Sequence, residues 1–140
     1  MGSSASHLAA DTRYTDQSWV DGRSGEVGDV YVYSVRIGAA LGLGVHHCIV
    51  VDGIDGNWRV FEWSSNGDNG GLSQYKTSRI YGGRCLTLGR HSLKKVYDAV
   101  QKISVGRCYS KNFNCNDWTE AVARELGHNI TVHWNCSCVL

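Results

Sequence analysis

Residues 111–118 read KNFNCNDW, and this stretch has the pattern of a helix start. Asn114 is a good N-cap residue, and Asp117 three positions later can complete a capping box with it. Apolar residues follow at helical spacing as far as Gly127, a residue type that commonly ends helices. The pattern therefore predicts a helix with Cys115 in its first turn and on its inward face.

The predicted position of Cys115 suggests chemistry, because a helix N-terminus offers unpaired N–H groups and partial positive charge that favour a thiolate. A catalytic thiolate also needs a base, and the candidates are His46 and His47, which open an apolar run. Strand alternation would let only one of these two histidines face the thiol. A lone cysteine on an apolar face is more often an inert core residue. The residues alone leave both interpretations open.

The composition is that of a single soluble domain. The chain has 140 residues, 17 glycines and no proline, so its turns depend on Gly, Asn and Asp. Its 14 basic and 13 acidic residues form no block of either sign, which argues against nucleic acid as a partner. No run reaches the roughly 18 apolar residues of a membrane-spanning helix, and the N-terminal residues lack the apolar core of a signal peptide. We therefore expect a cytoplasmic protein, with nuclear and peripheral-membrane locations left open.

The six cysteines are too sparse for a disulfide scaffold, in which cysteine exceeds roughly 8–10% of residues. We therefore expect mostly reduced thiols. No two cysteines have C-x-x-C spacing. Cys136, Cys138 and His133 are only weak evidence for a zinc-binding site. The sequence predicts neither a metal nor a cofactor.

The order of elements predicts an α+β domain. Residues 1–26 are small and polar and predict a flexible leader, which leaves 27–140 as the folded domain. A first strand is predicted at 29–37, where β-branched and aromatic residues suggest that both faces are covered. Strands at 46–52 and 57–63 flank a glycine-rich turn and predict an antiparallel hairpin.

The hairpin decides which side chains accompany each histidine. If the hairpin loop has an even number of residues, His46 lies on the same face of the sheet as Trp63, and His47 lies on the other face with Glu62. Glu62 and Asn57 are both candidates for a third group that orients the catalytic base. A one-residue slip in register would reverse these assignments.

The remainder of the chain alternates loops, strands and one more helix. Residues 64–78 are polar and predict a long loop. Short strands are predicted at 79–81 and 84–88, and a helix capped by a serine at 92–104. Residues 129–140 alternate like an edge strand. Together these elements predict an antiparallel sheet packed on helices.

The segment 46–53, followed by Cys115 within Asn-Cys-Asn, resembles the permuted papain-fold cysteine peptidases known as PPPDE or desumoylating isopeptidases (DeSI-like). The resemblance spans residues 28–128. It implies a circularly permuted papain-like fold of the NlpC/P60 type, with one helix starting at the nucleophilic cysteine. It also implies Cys115 as the nucleophile and His46 as general base and acid, with His47 kept as the alternative base.

This family resemblance implies a cysteine hydrolase that cleaves a peptide or isopeptide bond in a protein substrate, such as a ubiquitin- or SUMO-type conjugate. The related lecithin:retinol acyltransferase-like group pairs the same two residue types but continues Asn-Cys-Glu-His-Phe, where this chain has Asn-Asp-Trp after the cysteine. That group implies an acyltransferase, phospholipase or thioesterase instead. A non-catalytic interaction module is the alternative from another class.

The first six residues, MGSSAS, match the pattern for N-myristoylation. The same Met-Gly-Ser-Ser also begins many recombinantly expressed chains. A single myristoyl chain binds membranes only weakly. The sequence therefore predicts at most weak membrane association.

Overall fold

The structure is a computed structural model that describes residues 22–36, 45–68, 70–80 and 82–132. Within these residues the strands are β1 (Val27–Arg36), β2 (Val45–Ile54), β3 (Asn57–Asp68), β4 (Leu72–Thr77) and β5 (Gly83–Ser92), and the helices following them are α1 (Leu93–Ser104) and α2 (Cys115–Glu125). The strands form one antiparallel sheet in the order β4-β3-β2-β1-β5. The predicted α+β class and antiparallel sheet are confirmed.

One face of the sheet packs against both helices. Its centre is the pair Trp63 and Trp118, whose rings stack with centroids 6.0 Å apart and planes 6° from parallel. Burial of aromatic side chains of this size dominates the energetics of a small core. The buried residues of this helix-facing core are Val30, Val32, Ile49, Val51, Ile54, Phe61, Trp63, Leu88, Leu93, Val96, Ala99, Val100, Trp118, Val122, Ala123 and Leu126.

The opposite face of the sheet is also buried. Its cluster comprises Tyr33, Cys48, Val50, Val60 and Tyr75. The first strand therefore has both faces covered, as its composition predicts.

The β2–β3 turn has two residues, where four were predicted at 53–56, and a bulge follows it. Ile54 pairs with Asn57, and the two turn residues, Asp55 and Gly56, have φ angles of 51° and 77°. Two successive positive φ angles are typical of a type I′ hairpin turn. The ladder then shifts by one residue beside Gly53, whose φ of 93° is one that glycine adopts without strain.

This bulge reverses the predicted facing of β3. Beyond it Val50 pairs with Val60, so Glu62 shares the face of His46, and Trp63 lies on the helix-facing side with His47. The prediction that His46 accompanies Trp63 is wrong, because one extra residue in β2 moves every β3 side chain to the other face.

The predicted loop at 64–78 is also wrong, since β3 extends to Asp68 and β4 occupies 72–77. The buried side chains of β4 are Ser73, Tyr75 and Thr77, all of which carry hydroxyl groups. Because the buried positions of β4 carry polar side chains, the sequence of this strand lacks the alternation of apolar and polar residues that usually predicts a strand.

The remaining predicted strands are partly revised. The strand predicted at 84–88 is the middle of β5. Residues 129–132 form no strand. The apolar loop at 38–44, the first 21 residues and the tail from 133 onward lie outside the described residues. Neither described helix is long and apolar enough to cross a membrane.

Both helix starts are confirmed in detail. The Ser92 hydroxyl accepts a hydrogen bond from the N–H of Lys95 at 3.1 Å and caps α1. Asn114 Oδ1 accepts from the N–H groups of Asn116 and Asp117 at 3.0 and 3.1 Å. In return, the Asp117 carboxylate accepts from the N–H of Asn114 at 3.0 Å, which completes the capping box.

The capping box predicts a specific effect of Asn114→Ala. Loss of the cap should lower the free energy of unfolding by about 1 kcal/mol, because two N–H groups lose their acceptor. Urea unfolding followed by circular dichroism measures this change. Asn114→Ser, which keeps a capping oxygen, should stay within about 0.5 kcal/mol of the wild type. Equal destabilisation by Ala and Ser would show that the cap does not hold α2.

Candidate active site

The site lies where β2 and β3 stop pairing. Their ladder ends at the Ile49–Phe61 pair, although each strand continues to pair with its outer neighbour. Just beyond that pair, His46 and Glu62 are joined across the two strands, with His46 Nε2 2.6 Å from Glu62 Oε1. Helix α2 packs on both strands, and its first turn contacts this end of β2, where Asn116 Oδ1 lies 2.6 Å from His47 Nδ1.

Glu62 is fully buried and both of its carboxylate oxygens are hydrogen-bonded. Oε1 accepts from His46, which is 2% exposed, and Oε2 accepts from the Tyr75 hydroxyl, which is also buried. A buried carboxylate is tolerated only when its oxygens are paired in this way. Glu62 thus contacts the predicted base, whereas Asn57, the other predicted orienting residue, bonds to Asp55 in the turn.

Cys115 and Glu62 both affect the titration of His46. Burial alone would lower the pKa of His46, but the Cys115 thiol and the Glu62 carboxylate together raise it to about 9. The ring is therefore an imidazolium at neutral pH. Because Nε2 is bonded to Glu62, Nδ1 is the ring nitrogen that remains for another partner.

His47 has the opposite character. Burial lowers its pKa to about 4, and the charge of His46 adds to this effect. Its Nδ1 lies 2.6 Å from Asn116 Oδ1. An amide oxygen can only accept, so Nδ1 carries the proton and His47 is a neutral donor. The structure therefore joins His47 to Asn116, the residue that follows Cys115.

Cys115 is the first residue of α2 and is 7% exposed. Its Sγ lies 3.7 Å from Asn116 Oδ1. The cap uses the N–H groups of Asn116 and Asp117, so the N–H of Cys115 is the first-turn donor that the Asn114 side chain does not use. The predicted placement of Cys115 on the inward face is confirmed.

The segment before α2 is tied to the β3–β4 turn. The N–H of Tyr109 donates to the carbonyl of Gly70 at 2.6 Å, and Trp63 Nε1 donates to the carbonyl of Phe113 at 3.0 Å. Burial raises the pKa of Tyr109, and the charges of Cys115 and Asp117 add to the rise. Tyr109 therefore lies near the thiol as a neutral phenol.

The other thiols are distinct from Cys115. Burial raises the pKa of Cys48 well above its usual value, with smaller contributions from Glu62 and Cys115, so it stays protonated. Cys108 is an exposed thiol. Cys85 is in a disulfide bond, whereas Cys48 and Cys115 carry thiols.

Two of the residues that form the site, Tyr75 and Asn116, were not identified as site residues from the sequence. Tyr75 lies in a segment predicted as a loop, so its contact with Glu62 had no sequence signal. Asn116 belongs to the segment 111–118, but the sequence does not indicate what its side chain contacts. The histidines and Cys115 were found because strand-opening histidines and a helix-start cysteine are local patterns.

Comparisons with known proteins assign no family to the chain. No family model, curated protein or solved structure shows a significant match to it. Within the described ranges, no group of three or more His, Cys, Asp or Glu side chains is placed to hold a metal ion. The function must therefore be inferred from the geometry and electrostatics of the site.

The raised pKa of His46 predicts a loss of stability at alkaline pH. The folded state holds this proton up to about pH 9, whereas an unfolded histidine releases it near pH 6.5. The contribution is therefore complete below about pH 6.5 and disappears as the pH rises through about 9, by at most about 3 kcal/mol. Urea unfolding from pH 6 to 9.5 measures it. The matched variant His46→Gln should lack this alkaline decline, and an equal decline in both proteins would contradict the assignment.

Proposed function

We propose that the chain is a cysteine hydrolase with Cys115 as nucleophile, His46 as general base and acid, and Glu62 as the orienting carboxylate. The observation that supports this most is the buried His46–Glu62 pair, which leaves Nδ1 of the imidazolium for the thiol at the start of α2. Enzymes activate a cysteine in this way, with a base beside it and a third group that orients the base.

The proposed reaction has two steps. The Cys115 thiolate attacks the carbonyl carbon, the bond to the leaving group breaks, and His46 donates its Nδ1 proton to the departing amine. This leaves an acyl-enzyme and a neutral His46. The neutral ring then takes a proton from water, which attacks the thioester and releases the acid, and the imidazolium–thiolate pair is restored. Glu62 keeps the ring oriented throughout.

The helix start supplies the group that can stabilise the oxyanion. The N–H of Cys115 lies at the positive end of α2 and is not used by the cap. A backbone N–H in this position can donate to the negative oxygen of a tetrahedral intermediate. We assign this role to the Cys115 N–H.

The proposed substrate is a peptide or isopeptide bond, as in a ubiquitin- or SUMO-type conjugate. The support is the resemblance of residues 46–53 and of Asn114-Cys115-Asn116 to the permuted papain-fold peptidases. The antiparallel sheet and the helix that starts at Cys115 are compatible with that fold. We therefore propose the permuted papain-like arrangement together with the activity.

The pH dependence of alkylation tests the proposed pair without a substrate. In a Cys108→Ser background, which removes the thiol that is exposed among the described residues, the proposed pair predicts that iodoacetamide modifies Cys115 readily at pH 6, because a protonated His46 would stabilise the thiolate. His46→Ala should slow this reaction by roughly tenfold or more, since an ordinary thiol of pKa about 8.5 is almost fully protonated at that pH. An alkylation rate at pH 6 that is insensitive to His46→Ala would refute the pair, as a non-catalytic module predicts.

Turnover distinguishes the substrate classes. The purified chain is offered a fluorogenic ubiquitin or SUMO conjugate and, separately, a phospholipid and a fatty-acyl thioester. We expect cleavage of a conjugate and its complete loss in Cys115→Ala, which should fold normally because the side chain removed is small. Turnover of the lipids alone would assign the chain to the acyltransferase group, and turnover by Cys115→Ala would exclude the proposed nucleophile.

A further inference from the structure

Tyr75 connects a third strand to the buried charged pair. Its side chain is fully buried, and its hydroxyl donates to Oε2 of Glu62, whose Oε1 lies 2.6 Å from His46 Nε2. In the β3–β4 ladder Ser73 lies directly opposite Glu62, so Tyr75, two residues later, reaches the carboxylate along the diagonal between the strands. Hydrogen bonds therefore connect Tyr75, Glu62 and His46 across β4, β3 and β2.

His46 and Glu62 share one proton between Nε2 and Oε1. If the proton stays on the ring, Nε2–H donates to a carboxylate, and if it moves to Oε1, a carboxylic acid donates to Nε2. With a carboxylate as partner, a neutral His46 keeps its N–H at Nε2 and has a bare Nδ1, which is a base. With a carboxylic acid as partner, a neutral His46 carries its N–H at Nδ1 and has no base at that atom. The charge of Glu62 therefore decides which tautomer the ring adopts.

The Tyr75 hydroxyl favours one of these two states. A hydrogen bond to an ionised group is about twice as strong as one between neutral groups. A donor at Oε2 therefore stabilises the carboxylate more than the carboxylic acid. Burial acts in the opposite direction, because a charged pair loses more hydration than a neutral pair. Since Glu62 is 0% exposed, its charge depends on the donors that its oxygens find within the protein.

We infer that Tyr75 is a positioning residue that keeps Glu62 an acceptor and so keeps the shared proton on His46. This inference rests on the proposed function, because the tautomer with a bare Nδ1 is the one that hydrolysis of the acyl-enzyme uses. A phenylalanine at position 75 would fill the same space in the core but would supply no donor.

Neighbouring ionisable groups limit how the inference is tested. Within the described ranges, the other ionisable side chains that interact with the pair are Cys48 and His47 of β2 and Cys115 of α2. Burial keeps the Cys48 thiol protonated and His47 neutral at pH 7, so neither adds a charge. Cys115 favours the protonated ring, as Tyr75 does. The test therefore changes the hydroxyl of Tyr75 and keeps Cys115 in place.

Tyr75→Phe removes the hydroxyl and keeps the ring, and the ¹⁵N shifts of the His46 ring at pH 7 show where the proton lies. We expect a doubly protonated ring in the wild type. In Tyr75→Phe the ratio of ring-protonated to carboxyl-protonated pairs should fall roughly tenfold or more, which moves the Nε2 signal toward its unprotonated value. Tyr33→Phe is the matched control, because it removes the hydroxyl of another buried tyrosine in the same cluster, and it should leave the shifts unchanged. Shifts that are the same in wild type and Tyr75→Phe, or that move equally in both variants, overturn the inference.

The unaltered protein provides a second test if Tyr75→Phe does not fold. Protonation of Glu62 at acid pH removes the ionised acceptor of the tyrosine, so the ¹³C shifts of Glu62 Cδ and Tyr75 Cζ should change with one midpoint. Separate midpoints would show that the tyrosine does not respond to this carboxylate.

The pH profile of turnover gives a third readout that a purely structural role would not move. On a substrate, the acid limb of kcat/KM should lie about one pH unit higher in Tyr75→Phe than in Tyr33→Phe, because Glu62 takes up its proton more readily without the donor. Coincident acid limbs in the two variants would contradict the inference. The NMR measurements need no substrate, so their outcome is independent of whether the proposed hydrolysis is found.

Discussion

The site depends on a pair of charges held out of water. His46 and Glu62 are 2% and 0% exposed, and their contact is 2.6 Å long. A buried ion pair is often no more stabilising than two well-packed apolar residues, because both charges must be desolvated. The pair is therefore poorly explained as a means of stabilising the fold. It is well explained as a device that keeps a protonated imidazole next to a sulfur, which is the arrangement that the proposed hydrolase requires.

Several features of the fold serve this pair. The bulge at Gly53 places Glu62 on the same face as His46, and the early end of the β2–β3 ladder lets their side chains meet. Tyr75 satisfies the second oxygen of Glu62. From the other side, the capping box and the Trp63–Trp118 stack fix the start of α2 against the sheet. Removal of any one of these supports would leave a buried charge or a misplaced thiol.

Both helices could be predicted from sequence because their signals are local. Ser92 and Asn114 cap the next few residues, and apolar spacing shows the inward face without knowledge of the rest of the chain. Cys115 was placed correctly for the same reason. The antiparallel hairpin was also predicted correctly, because a glycine-rich turn between two strand-like segments is a local signal.

The partners of His46 and His47 could not be predicted in the same way. The facing of Glu62 depends on a one-residue bulge, and a glycine in the turn region gives no sign of whether it is bulged. Strand β4 was missed because Ser73, Tyr75 and Thr77 point inward, so polar residues occupy the buried positions. The link from His47 to Asn116 joins residues 69 positions apart and appears only when the helix packs on the sheet.

Titration of His46 by NMR tests most directly whether the thiol and the imidazole form one pair. The ring ¹⁵N or ¹³C shifts of His46 would be followed with pH in the wild type and in Cys115→Ser. We predict a His46 pKa near 9 in the wild type and a clearly lower value in Cys115→Ser, because the serine hydroxyl stays neutral and does not stabilise the imidazolium as the thiolate does. A His46 that titrates at or below the usual histidine value of about 6.5, or whose pKa is the same in both proteins, would contradict the pairing.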